Sequence, residues 1–181
     1  MTRIAPATAP SPAAQEQLDA VQKKLGGTPN IFTTMAHSPA AFGFYLAGSE
    51  ALNGGDLPAL LREQIALTVA GLNGCDYCAS AHTLIGKGAG GEDSDLRAAL
   101  KGSSADPRAD AALKFATALT VNRGQVSDEE LQAVRNAGYS DGEVLEIIAV
   151  VALNIFTNYF NEVAGTEIDF PPVRAKVSEA A

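Results

Sequence analysis

Apolar positions along this chain recur at intervals of three and four residues, broken by Pro, Gly and Ser where helices would begin and end. From Pro12, the residues Ala13, Gln17, Leu18, Val21 and Leu25 keep close to helical spacing. Pro12 suits a first turn, and Gly26-Gly27 supplies a stop. Asn30 to Met35 reads as a short helix. Ser38-Pro39 joins an N-cap to a first-turn proline and opens a helix through Phe42, Tyr45, Leu46 and Ala51, which Gly54-Gly55 ends. Leu57 to Ala70 is apolar on nearly every side after Glu63, the pattern of a helix buried over most of its surface. Asn73-Gly74 breaks it, and the next helix starts at Cys75 or Asp76 and runs to Gly86 or Gly88.

Further helices are predicted over Ser94 to Leu100, Pro107 to Asn122 and Ser127 to Asn136, the last with Ser127 and Glu130 as a capping box. Ser140 to Ala164 is the longest candidate. Its β-branched centre competes for a strand assignment, but its length and the Ser140/Glu143 capping box favour helix. The pattern therefore predicts an all-α, single-domain bundle of about eight helices. Residues 1–11 form an irregular N-terminal arm, and residues 12–181 the helical domain, with an extended stretch from Thr166 to Pro172 ordered by Ile168 and Phe170. At an offset of 83, Glu63-Gln64-Ile65-Ala66 lies over Glu146-Ile147-Ile148-Ala149, which sets Cys75 and Cys78 over Asn158 and Asn161. That echo fits a degenerate internal repeat and equally two unrelated buried helices.

Composition narrows the function classes. A chain of 181 residues can bury a full core without disulfide staples or a structural metal. The net charge of −8, with basic residues scattered, argues against nucleic acid or an anionic membrane surface as partner. The start of the chain lacks an apolar signal core, so a cytoplasmic location is expected. The longest purely apolar run, Ile147 to Leu153, is far short of the ~20 residues that span a bilayer, so no membrane segment is expected.

The candidate chemistry lies in Cys75-Asp76-Tyr77-Cys78-Ala79-Ser80-Ala81-His82, which holds both cysteines of the chain. In a reducing compartment, a pair at this spacing points to catalysis or metal binding ahead of a structural bridge. At a helix start, Cys75 meets free N–H groups and a dipole that favour its thiolate. Cys78 has His82 one turn on, close enough to take its proton. Thiols three apart at a helix start close to a disulfide with little backbone movement, so one can resolve an oxidised state of the other. Glu63 is a charged residue in a mostly apolar helix just before the cysteines, and in contact with His82 it would set the tautomer of that base. Zinc needs about four ligands, and His37 is the only histidine besides His82, so no metal or other cofactor is expected.

Glu63, eleven residues, then Cys75-x-x-Cys78-x-x-x-His82 resembles the alkylhydroperoxidase D-like branch of the carboxymuconolactone decarboxylase superfamily. The ending Asn158-Tyr159-Phe160-Asn161-x-x-Ala164-Gly165-Thr166-Glu167-Ile168-Asp169-Phe170-Pro171-Pro172 is similar to its peroxidase-related subgroup. The resemblance implies an all-helical subunit that forms homo-oligomers, trimers or hexamers, and reduces a hydroperoxide substrate through thiols. It implies Cys78 as the peroxidatic thiol, Cys75 as the more accessible resolving thiol, His82 and Glu63 as the proton relay, and a thioredoxin-like or lipoyl-bearing protein as reductant. Tyr77 departs from the pattern, since founding members carry a second histidine between the cysteines. From the residues alone, a redox-responsive dithiol/disulfide switch without efficient turnover is the alternative reading, and an assembly subunit with inert thiols the third.

Overall fold

The computed structural model describes residues 1–176; residues 177–181 of the predicted domain lie outside the described residues. Among the described residues the secondary structure is entirely helical, with nine helices where the pattern predicts about eight. They are α1 Pro12–Leu25, α2 Asn30–Met35, α3 Pro39–Asn53, α4 Ala59–Asn73, α5 Asp76–Gly88, α6 Asp93–Ala99, α7 Pro107–Val121, α8 Asp128–Asn136 and α9 Asp141–Ala164.

The start and stop chemistry does the work the sequence assigns to it. Ser11 and Ser38 accept from Ala14 and Ala41 N–H in front of their first-turn prolines. Both capping boxes form at α8 and α9, each satisfying two otherwise free N–H groups. Gly26, Gly74 and Gly165 end α1, α4 and α9 in the left-handed conformation.

The bundle is built around α4, which packs against α5, α6, α7 and α9. Its residues from Gln64 to Ala70 are all buried, so even the polar Gln64 and Thr68 face protein. Thr68 meets that demand by donating its hydroxyl to Ala99 O at 2.8 Å. A Cβ on Gly71 would stand 2.0 Å from Leu100 O, so only glycine lets the end of α4 abut the end of α6.

The longest helix, α9, has the length and apolar content of a membrane span, yet it packs against α4, α7, α3 and α5 as a core helix. It leaves an exposed stripe of Leu145, Ile148, Tyr159 and Val163, continued on α3 by Phe44, which meets Phe156 edge-on at 5.2 Å. The repeat echo reaches only so far: α9 runs unbroken through the positions where Asn73-Gly74 separates α4 from α5. Glu146, the counterpart of Glu63, accepts from the backbone N–H groups of Asp56 and Leu57. The N-terminal arm is irregular but tied down: Arg3 and Ile4 N–H donate to Ala164 O, and His37 Nε2 bonds Ala5 O.

Candidate functional site

Two residues turn the chain from α4 into α5. Gly74, at φ 76°, donates its N–H to Ala70 O at 2.8 Å, and Cys75 N–H donates to the same oxygen at 3.0 Å. Cys75 is then the N-cap of α5, with its Sγ accepting from Cys78 N–H at 3.2 Å. Cys75 and Cys78 are joined as a disulfide, their Cα atoms 5.3 Å apart. Once reduced, the Cys75 sulfur occupies the position where first-turn N–H groups and the helix dipole favour negative charge.

The α4–α5 hairpin also brings the two relay candidates together. His82 Nδ1 lies 2.7 Å from Glu63 Oε2, with the two side chains 19% and 18% exposed. Gly86 packs tightly on the same helix: a Cβ there would stand 2.7 Å from Leu96 Cδ2 and in ordinary contact, 3.6 Å, with Glu63 Cβ. With Nδ1–H donating to the carboxylate, Nε2 is the nitrogen left to accept a proton. Two cations that could instead pair with Glu63 are engaged elsewhere: Lys87 pairs with Asp93 at 2.7 Å, and Arg62 bonds Leu57 O and Asn53. Tyr45 stands close by. Burial pushes its phenol pKa up, and the charge of Glu63 pushes it further against a hydrogen bond with Ser49.

A third element touches the thiols, which motif spacing did not reveal. From α9, Asn161 donates its Nδ2–H to Cys78 Sγ at 3.3 Å. One turn earlier the fully buried Asn158 accepts from Asn73 Nδ2 at 3.0 Å, pinning the end of α4 to α9. The available signal was a pair of amides three apart on a helix otherwise apolar enough to be core. Tyr77 is held by packing and hydrogen bonding. Its hydroxyl accepts from Ile31 N–H, its ring meets Phe170 edge-on at 5.4 Å, and burial drives its pKa above the ordinary phenol range.

The residues after α9 form a strap over the start of α5. Val173 N–H donates to Ser80 Oγ at 2.9 Å, Ala175 N–H to Asp76 Oδ1 at 2.8 Å, and Arg174 Nη1 to Asp76 Oδ2 at 2.5 Å. This corrects the expectation that Cys75 is the more accessible thiol. Cys75 is 0% exposed and Cys78 2%, with α9 in contact with the Cys78 sulfur and the strap tied to Asp76 and Ser80 nearby. A cleft of about 340 Å³ opens beside it, lined by Asp76, Tyr77, Asn161, Glu162, Gly165 and Thr166 among others. Untying the strap is expected to speed reduction of the disulfide. The Ala175 bond contributes about 1 kcal/mol, so Asp76→Ala is expected to raise the dithiothreitol rate roughly fivefold. Ser80→Ala, which removes another tie without changing charge, is expected to shift the rate the same way. Stopped-flow thiol release measures both.

Among the described residues, no three His, Cys, Asp or Glu side chains converge to hold a metal ion. Residues 39–121 match the model of the carboxymuconolactone decarboxylase family. No curated protein sequence matches the chain. Its structure is similar to the alkylhydroperoxidase AhpD core of an uncharacterized peroxidase-related protein from Ralstonia eutropha. The TM-score is 0.80 and the identity 25%, over 93% of this chain and 94% of that one. A peroxidase-related protein from Silicibacter sp. matches at TM-score 0.78 and 22% identity, over 94% and 93% of the two chains. The debrominase Bmp8, in a cysteine-to-alanine variant bound to 2,3,4-tribromopyrrole, matches at 0.78 and 22%, over 93% and 92%.

Proposed function

We propose that this chain, whose residues 39–121 match the carboxymuconolactone decarboxylase family and whose fold is similar to an alkylhydroperoxidase AhpD core, is a thiol-dependent peroxidase acting on small hydroperoxides. The observation that carries the reading is the Glu63–His82 pair held one helical turn from a Cys-x-x-Cys that has closed to a disulfide. Shared fold does not choose the substrate, since a debrominase has it too. The thiols and the relay support the choice.

In the reduced protein, the Cys78 thiolate attacks the distal oxygen of the hydroperoxide. An S–O bond forms, the O–O bond breaks, and the alkoxide leaves as alcohol with a proton delivered through His82. Cys78 is then a sulfenic acid, oxidised by two electrons. The Cys75 thiolate attacks its sulfur, the S–S bond forms, and hydroxide departs as water after taking up a proton. A dithiol protein, thioredoxin-like or lipoyl-bearing, returns the pair to the reduced state by exchange and becomes a disulfide itself. The protein works as a cytoplasmic homo-oligomer, trimer or hexamer. The apolar stripe of α9 and α3 supports self-association, since a face of this kind is stabilised by a copy of itself.

Burial of both sulfurs favours a second reading, a dithiol/disulfide switch whose strap slows turnover. One experiment separates the two. In Cys75→Ser, treatment with a panel of hydroperoxides followed by mass spectrometry is expected to trap a sulfenic acid on Cys78. With the wild type and a regenerating dithiol, steady peroxide consumption is expected. Oxidation of one equivalent that then stops would establish the switch.

A further inference from the structure

We propose that Asn161 is a catalytic residue of the thiol site, whose side-chain amide holds the Cys78 sulfur as its thiolate by hydrogen bonding. The inference rests on the reading of Cys78 as the attacking thiol, and adds a group outside the Glu63, Cys75, Cys78 and His82 set. Asn161 is 4% exposed, and its Nδ2 stands 3.3 Å from Cys78 Sγ. It is the one side-chain donor to that sulfur among the described residues.

A buried amide costs stability unless its polar atoms find partners, and at a core position of α9 a leucine would carry no such cost. Asn161 meets half of the requirement through the sulfur. Its other polar atom, the buried Oδ1, has no partner among the described residues. The thiol chemistry explains both ends. An N–H aimed at sulfur is worth most when that sulfur is an anion, because hydrogen bonds to charged groups are the strong ones. When Cys78 has taken an oxygen from peroxide, the new S–O–H is a donor beside Asn161, and the free carbonyl is the acceptor it lacks. The disulfide form is the state in which that carbonyl has nothing to accept.

Asn158 is a built-in comparison. It lies one turn earlier on α9 and is 0% exposed, with its Nδ2 also lacking a partner among the described residues, but it bonds Asn73 and not the sulfur. Other charged or titratable groups surround Cys78 on each neighbouring element. They are Asp76, tied to the strap, and Tyr77 and His82 on α5; Glu63 on α4; Glu162, exposed at the cleft, on α9; Asp169 after α9, beside Tyr77; and on the strap Arg174, largely exposed, and Lys176, beside Gly74. Every one of them is retained in the variants below, so a change in titration reports the amide.

The test is the pH titration of Cys78 in Cys75→Ser, read as ultraviolet thiolate absorbance and as the rate of alkylation by iodoacetamide. Adding Asn161→Leu is expected to move the midpoint up by about one pH unit and slow alkylation at neutral pH about tenfold, the weight of a hydrogen bond to a charged group. Asn161→Asp, which offers a carboxylate in place of the donor, is expected to move it further. Asn158→Leu is expected to leave it where it is. A folded Asn161→Leu with an unchanged titration overturns the proposal. Should the Asn161 variants not fold, the side-chain amide resonance of Asn161 in Cys75→Ser decides. It is expected to shift along the thiol titration, and a flat signal overturns the proposal. No peroxide enters these measurements. A shifted titration in a protein without peroxidase turnover therefore leaves the amide–sulfur interaction standing and removes the peroxidase reading alone.

Discussion

Cys78→Ser is expected to consume no hydroperoxide above the buffer rate, while Cys75→Ser is expected to consume one equivalent and stop. The asymmetry follows from where each sulfur sits. Cys78 has His82 four residues on along α5, on the same helix face, and accepts from the Asn161 amide at 3.3 Å. Cys75 is the N-cap and accepts from Cys78 N–H, a position that favours its thiolate but provides no base on the same helix face. A serine at 78 keeps the shape and loses the nucleophile, because a hydroxyl is not ionised under conditions where a thiol is. A serine at 75 leaves the first step intact and the sulfenic acid unresolved. Peroxide assays with a defined protein concentration count the equivalents, and mass spectrometry locates the added oxygen. Oxygen on Cys75 in the Cys78→Ser protein would reverse the two roles.

The second large effect is expected from the relay. Glu63→Gln is expected to slow the first, peroxide-consuming step by about 10²-fold, the scale on which a positioned acid–base group contributes. A carboxylate can only accept from His82 Nδ1–H. A glutamine amide can also present a donor there, which turns the imidazole to the other tautomer and occupies the wrong nitrogen. His82→Ala is expected to cost at least as much. The double variant is expected to be no slower than His82→Ala alone, because Glu63 acts through the ring. Single-turnover peroxide kinetics measure the step, and thermal unfolding of each variant shows that the bundle is intact. Equal rates in Glu63→Gln and wild type would remove Glu63 from the mechanism and leave it as a half-buried hydrogen-bond acceptor.

The same division runs through the whole molecule. Local rules act within a few residues, and the sequence by itself determined what they govern. The first-turn prolines of α1 and α3, the serine cap of α3, the capping boxes of α8 and α9, and the glycine stops after α1 and α4 were legible because each uses atoms of one turn. Cys75, Cys78 and His82 were legible as a group for the same reason, since spacings of three and four lie on one helix face.

Only the tertiary structure decided the contacts that cross between helices. Glu63 meets His82 because a two-residue turn folds α5 back on α4. Asn161 meets Cys78 across 83 positions of sequence because α9 packs against α5 beside α4. The strap lies next to the thiols through ties to Asp76 and Ser80 that are single hydrogen bonds with no periodicity to announce them. Periodicity states which face of a helix is buried, but packing alone chooses what is buried against it. The thiols could therefore be read from the chain, while the amide, the carboxylate contact and the cover over the disulfide could not.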